Sequence, residues 1–211
     1  MPLKKISENL FLLQSDDFSC NSFLLKGEKN LLIDTGINYI SSEHKKMLFS
    51  LNLKPEDINV ILHTHNHYDH FEADKIYSKA EIFMSKSDAE NLNKKAFTFS
   101  SEKFIPKINF LTEKPIQNPP FQLQVIPTPG HTIGSVCFYE KEKKMLFSGD
   151  TVFFQGIGRT DFPSGSFSEL KDSIQKLSEL EIEFIFPGHG RIVSGSKAVK
   201  ENFDFIKENF F

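Results

Sequence analysis

Short apolar blocks separated by polar turns set the pattern of this chain. Residues 9–14, 21–26 and 30–34 read as strands of an antiparallel meander, the last ending in Asp34-Thr35-Gly36. Ile40, His44, Met47, Leu48 and Leu51 then recur at helical spacing behind the candidate caps Ser41 and Ser42, which predicts a helix to about Leu51 that Pro55 stops. Asn59-Val60-Ile61-Leu62 has the short, β-branched run of a buried strand and leads straight into a cluster of histidines. A strand at 82–84 follows, with short helices beginning near Glu72 and Lys86. Residues 96–120 carry Pro106, Pro115, Pro119 and Pro120 and read as loop with one short strand near 108–111.

Strand signals return at 121–126, 135–139 and 145–147. A loop rich in Gly and Phe spans 151–165, and Leu170, Ile174 and Leu177 then mark an amphipathic helix. After the strand 184–186, a last helix presents Val199, Phe203, Ile206 and Phe210 on one face, as core packing. The repeated plan is a short strand that delivers a polar turn and a helix that covers the sheet. It predicts α and β layers packed on one core.

At 211 residues the chain has the length of a single domain, 1–211. Its 39% hydrophobic and 25% charged content is that of a globular chain, which excludes disorder and collagen, and its 23 Phe against 4 Tyr and no Trp make phenylalanine the main bulky core residue. No apolar run approaches the roughly 18 residues of a membrane span, and residues 1–15 lack a secretory signal's apolar block, so a cytoplasmic protein without a membrane partner is expected. Twenty-five basic against 28 acidic residues give a net charge of -3, too little cationic field to attract nucleic acid. Cys20 and Cys137 stand far apart in no C-x-x-C arrangement, so buried, reduced thiols are expected, without a disulfide framework or a thiolate zinc site.

Residues 63–70 read His63-Thr64-His65-Asn66-His67-Tyr68-Asp69-His70, so four of the seven histidines fall within eight residues. Solvated histidines have no reason to cluster in this way, whereas neutral imidazole and carboxylate both bind zinc at about 2.0–2.2 Å. On an extended segment His65, His67 and Asp69 share one side, and His70 faces the other way unless the loop curls. His63 lies inside the strand pattern and is expected in a hydrogen-bonded structural or supporting role, and His44 on its helix in a structural one. The remaining histidines stand in strand-end turns, Pro129-Gly130-His131-Thr132 and Pro187-Gly188-His189-Gly190. Between them Phe147-Ser148-Gly149-Asp150-Thr151 delivers a carboxylate in the same manner.

The set His65-x-His67-x-Asp69-His70, His131, Asp150 and His189, with Asp34-Thr35-Gly36 and Gly158-Arg159-Thr160-Asp161, resembles the metallo-β-lactamase superfamily over nearly the whole chain. Within it the chain looks most like the short form of glyoxalase II, hydroxyacylglutathione hydrolase, without the helical C-terminal extension. The resemblance implies an α/β fold, a four-layer αββα sandwich, and two divalent metal ions. One ion would be held by His65, His67 and His131, the other by Asp69, His70 and His189, with Asp150 bridging. It further implies that Asp69 orients the nucleophile and that Asp34 supports the ligands. Zinc is the default metal, and the thiolate-free ligand set also accepts iron or manganese.

A hydroxide shared by two metals can attack a carbonyl near neutral pH. A thiolate, with a parent pKa of about 8.5, leaves without a general acid, which favours a small-molecule thioester over an amide. Arg159 matches the position of a basic glutathione contact in glyoxalase II and suits a carboxylate. Asp161, however, replaces an aromatic residue of that pocket. The rival readings are an iron-dependent persulfide dioxygenase, suggested by Gly158-Arg159-Thr160-Asp161-Phe162, a lactone or other ester hydrolase of the same superfamily, and a metal-stabilised module without activity. Glutamate at the position of His67 would mark a flavodiiron protein, and this chain has histidine there.

Overall fold

The computed structural model describes residues 3–14, 18–37, 40–94 and 107–211, which divide into two compact units. The loop expected at 96–106 lies outside the described residues. The first unit comprises residues 1–111 and 118–121 and the second residues 112–117 and 122–211.

The first unit is built on a seven-stranded sheet in sequence order: β1 (Leu3–Lys5), β2 (Leu10–Leu13), β3 (Ser22–Lys26), β4 (Asn30–Ile33), β5 (Val60–Leu62), β6 (Glu81–Met84) and β7 (Ile108–Phe110). β2, β3 and β4 form the expected antiparallel meander, β1 adds an antiparallel edge strand that the sequence reading did not include, and from β4 to β7 every pairing is parallel. A parallel neighbour demands a crossover, and α1 (Ser41–Ser50), α2 (Tyr68–Phe71) and α3 (Lys86–Lys94) lie in these connections. Leu24, Leu32, Ile61, Met47, Leu48 and Tyr77 pack together in the core of this unit. The helix at 41–50 starts without the expected help of Ser41 or Ser42: the N-cap is Ile40 and no side chain caps it. Burial of Met47 and Leu48 holds it instead, in keeping with the rule that packing outweighs capping in short helices.

The second unit carries a six-stranded sheet in the order β15-β14-β11-β10-β9-β8, made of β8 (Ile116–Asn118), β9 (Phe121–Pro127), β10 (Val136–Glu140), β11 (Met145–Gly149), β14 (Phe184–Pro187) and β15 (Val193–Ser194). The stretch read as plain loop from 151 to 165 contains a two-stranded ribbon, β12 (Val152–Phe153) with β13 (Gly156–Ile157). Two-residue strands have no periodicity to detect, so the sequence could not announce it. Helix α4 (Phe167–Leu177) is capped by Ser166, whose side chain accepts from the Glu169 amide, and it buries Leu170, Ile174 and Leu177 as expected. Helix α5 (Ser196–Phe210) buries Val199, Phe203 and Ile206, but Phe210 is 38% exposed, so the apolar face ends one turn before the helix does. Both helices join Ile126, Leu146, Ile185 and Val193 in the second core.

Cys20 and Cys137 are both buried free thiols, and burial pushes them up to about 12 and about 11 respectively. Among the described residues no helix is long and apolar enough to cross a membrane.

His44 is fully buried on α1, with Nδ1 3.0 Å from the Tyr77 hydroxyl, and burial lowers its pKa from 6.5 to about 4. The folded state therefore favours the neutral ring. Its contribution is complete above pH 6.5 and is lost as the pH falls through 4. His44→Gln should remove this dependence. Urea unfolding at stepped pH is expected to show the wild type losing on the order of 2–3 kcal/mol more than the variant across that window, and parallel curves would contradict the assignment.

Candidate metal centre

Asp34 is the first residue past β4 and His63 the first past β5, and these two strands run parallel with Ile33 opposite Leu62. The ladder extends by one bond at each, from the Asp34 amide to the Leu62 carbonyl at 3.0 Å and from the His63 amide to the Phe83 carbonyl at 2.9 Å. The polar segments therefore leave the sheet side by side at the carboxyl ends of parallel strands, where α/β folds gather ligands. Asp34 turns the chain with φ at 54°.

The histidine segment does not stay extended. Its helix α2 begins at Tyr68, so Asp69 and His70 lie on a turn and His70 folds back, its ring centroid 4.0 Å from that of His65. His65 Nε2 lies 3.1 Å from His67 Nδ1, and His70 Nε2 lies 3.9 Å from Asp69 Oδ2. The first unit thus brings His65, His67, Asp69 and His70 together.

The protonation pattern of this cluster follows from Asp34. Its Oδ1 accepts from the Thr64 amide at 2.9 Å, and its Oδ2 accepts from the Thr64 hydroxyl at 2.7 Å and from His70 Nδ1 at 2.8 Å. Thr64 has a single hydroxyl hydrogen, already given to Asp34, so at 3.0 Å from His65 Nδ1 its oxygen must accept. Both His65 and His70 then carry hydrogen on Nδ1 and present Nε2 as a lone pair. Buried behind them, His63 places Nε2 2.9 Å from Asp74 Oδ2 and Nδ1 3.4 Å from Asp34 Oδ1. Burial alone would push the Asp34 carboxyl up, but the His70 and His63 rings beside it outweigh burial and hold Asp34 at about 2. Burial would likewise push His63 down, and Asp74 and Asp34 together hold it up at about 9.

In the second unit β9 and β11 are both antiparallel to β10, and β14 is parallel to β11, so all three end at the same edge of the sheet. His131 follows β9, Asp150 follows β11 and His189 follows β14. Asp150 Oδ2 lies 3.4 Å from His131 Nε2 and 3.7 Å from His189 Nε2. The loop after Asp150 closes on this group: the Arg159 carbonyl accepts the Nδ1 hydrogen of His131 at 2.7 Å, which again leaves Nε2 as the lone-pair nitrogen. At Gly130, with φ at 133°, the turn packs against the backbone of Leu170 on α4, so a side chain has no room there.

These two groups have the donor chemistry and spacing of metal ligands. Tetrahedral bonds of about 2.0–2.1 Å place neighbouring ligand atoms about 3.3 Å apart. The 3.1 Å between His65 and His67 and the 3.4 Å between His131 and Asp150 bracket that value. The tautomers of His65, His70 and His131 are set by a partner on the far nitrogen, as at metal-bound histidines generally. The Arg159 side chain is engaged elsewhere: its Nε and Nη2 donate to Asp161 at 2.9 and 2.6 Å, and its guanidinium lies 4.5 Å from the ring centre of Phe162. Thr64, Asp74 and the Arg159 carbonyl are functional groups that the sequence reading missed. Thr64 sits inside the histidine octet and could have been noticed, whereas nothing in the local pattern marks Asp74. Cys20 also comes within 4.8 Å of Asp34 and His70, but its buried thiol keeps its proton and so is a poor ligand.

Residues 15–189 match the family described as the metallo-beta-lactamase superfamily. A probable metallo-hydrolase of Methanocaldococcus jannaschii is 34% identical over 189 residues, covering 83% of this chain and 89% of that protein. A hydroxyacylglutathione hydrolase of Haemophilus influenzae is 33% identical over 195 residues, covering 86% of this chain and 90% of that protein. A protein crystallised in a di-iron-bound form has the same fold, with a TM-score of 0.75 at 26% identity over 90% of this chain and 96% of that one.

Gly158 passes so close to this cluster that a Cβ there would collide with the Asp150 carbonyl oxygen and lie 3.0 Å from His131 Nδ1. Gly158→Ala is expected to cost about 1–3 kcal/mol of stability by overpacking and to weaken zinc binding at the same time. Thermal unfolding and a zinc titration check both, and an unchanged zinc affinity would show that the loop does not brace His131.

Proposed function

The chain belongs to the metallo-beta-lactamase superfamily and is a metallo-hydrolase, and on that premise we propose that it hydrolyses a thioester of the S-lactoylglutathione type at a binuclear centre. On this reading His65, His67 and His131 would hold one metal and Asp69, His70 and His189 the other, with Asp150 as a ligand to both. The observation that carries it is the common preparation of His65, His70 and His131, each with Nδ1 engaged and Nε2 left as a donor to a metal. Zinc is the metal of choice for these nitrogen and oxygen donors, and iron fits the same set. The similarity to a hydroxyacylglutathione hydrolase supports the substrate class. The buried free thiols fit a cytoplasmic location.

When bound, the metals supply a hydroxide near neutral pH and polarise the carbonyl under attack. The protein supplies orientation. Asp69, with its side chain 19% exposed, is the carboxylate open to solvent in the first cluster and would orient the nucleophile. The ligand turns bring no separate acid, so the leaving group has to depart unprotonated, as a thiolate can and an amine cannot.

Arg159 is the proposed anchor for a carboxylate on the thiol portion of the substrate. Its guanidinium is already in a two-point pair with Asp161, both side chains being about two-thirds exposed. A substrate carboxylate must take the place of Asp161, an exchange between like groups that leaves little net binding energy.

Loss of thioester absorbance with S-D-lactoylglutathione tests the reading. In zinc-loaded protein a kcat/KM above about 10⁴ M⁻¹s⁻¹ is expected. Asp150→Ala should lose metal and activity together. Retention of both in that variant would sink the ligand assignment, and a far lower rate with two metals bound would discard glutathione as the handle. Asp161→Asn should lower KM for the glutathione thioester several-fold while leaving kcat unchanged, and an unchanged KM would remove Arg159 from the substrate site.

A further inference from the structure

Behind the first metal-ligand cluster lies a second row of buried polar groups to which the proposed reaction gives no task. His63 and Asp74 are fully buried beside a largely apolar core. Burying a carboxylate is expensive unless it is paired and hydrogen-bonded, and here two carboxylates flank one imidazole. Asp74 Oδ1 accepts from the Thr35 hydroxyl at 2.8 Å, and its Oδ2 faces His63 Nε2 at 2.9 Å. The other nitrogen of His63 faces Asp34 Oδ1 at 3.4 Å, on the oxygen that also takes the Thr64 amide. Asp34 is thereby held with its remaining oxygen, Oδ2, aimed at His70 Nδ1 and the Thr64 hydroxyl. Thr35 ties the same row to the main chain of His70, whose carbonyl takes the Thr35 amide at 2.8 Å.

We infer that His63 and Asp74 form a positioning pair which, by fixing the rotation of the Asp34 carboxylate, sets the metal-binding edges of His70 and His65. The inference rests on the reading that His65 and His70 are metal ligands. Freed from His63, Asp34 would be held by Thr64 alone, and its carboxylate could tilt about those two bonds so that Oδ2 draws away from His70. The ring of His70 would then lose its fixed tautomer, and its Nε2 would be a donor for only part of the time. His65, which depends on Asp34 through the Thr64 hydroxyl, would be affected less. A pair that merely filled the core would alter stability and leave ligand preparation alone.

The test is zinc affinity, read by competition with a chromophoric chelator, together with thermal unfolding of the metal-free protein. Partners outside the ligand set commonly carry 10- to 100-fold of metal affinity, so His63→Leu and Asp74→Ala are each expected to weaken the zinc held by His70 by about tenfold. The double variant should weaken it no further than the larger single change, because both act along one chain of contacts. Asp74→Asn keeps an acceptor for Thr35 and should recover part of the loss. It also decides the matter if His63→Leu does not fold. Unchanged zinc affinity in variants that unfold at lower temperature, or losses that multiply in the double variant, would overturn the positioning role. His70→Ala separates the two levels: if it still binds two zinc ions with wild-type affinity, it is the ligand reading that fails.

Discussion

One buried carboxylate governs the first half of the site. Asp34 is almost without exposure, and a carboxylate so placed is tolerated only because hydrogens reach it from the Thr64 amide and hydroxyl and from the rings of His63 and His70. The consequence reaches beyond its own stability. Because Asp34 can only accept, each neighbour must turn a hydrogen toward it. His70 and, through the single hydroxyl hydrogen of Thr64, His65 then carry their lone pair on Nε2. The fold supplies the placement, since β4 and β5 are parallel and in register, so that the residue ending one strand meets the segment leaving the other.

The second half reaches the same result by different means. There no buried acid organises the histidines. His131 is set by a backbone carbonyl, that of Arg159, on a loop that can pass close enough only because residue 158 has no side chain. His131, Asp150 and His189 stand at the ends of three strands that share one direction, so sheet topology alone gathers them. In both units the protein gives an imidazole one lone pair and a fixed aim, His65 and His70 in the first and His131 in the second. On the proposed function this is what allows metals to bind without reorganisation.

Much of this was legible in the sequence because the chemistry sits in unusual local patterns. Four histidines in eight residues after an apolar run, and glycine beside His131, Asp150 and His189, marked all of the candidate ligands, and the strands delivering them were short runs with clear ends. The geometry was less legible. Residues 65–69 could be read as extended, with His70 facing away, because α2 is only four residues long and offers no periodicity, yet its single turn is what brings His70 to His65. The ribbon at 152–157 was hidden for the same reason. Asp74 was invisible: an acidic residue in a polar stretch reads as surface, and only the fold places it against His63. Arg159 was read as a cation in the loop after Asp150, but its engagement with Asp161 is a matter of rotamer that no spacing rule contains.

The proposed function stands on the reading that His65, His67, Asp69, His70, His131, Asp150 and His189 bind two metal ions. Titration of the metal-free protein with cobalt(II), followed by its visible absorption and by electron paramagnetic resonance, addresses that claim most directly. The account predicts saturation at two equivalents, with the signal of the second ion suppressed by magnetic coupling through the shared Asp150 carboxylate. Saturation at one equivalent, or two ions with independent signals, would contradict it.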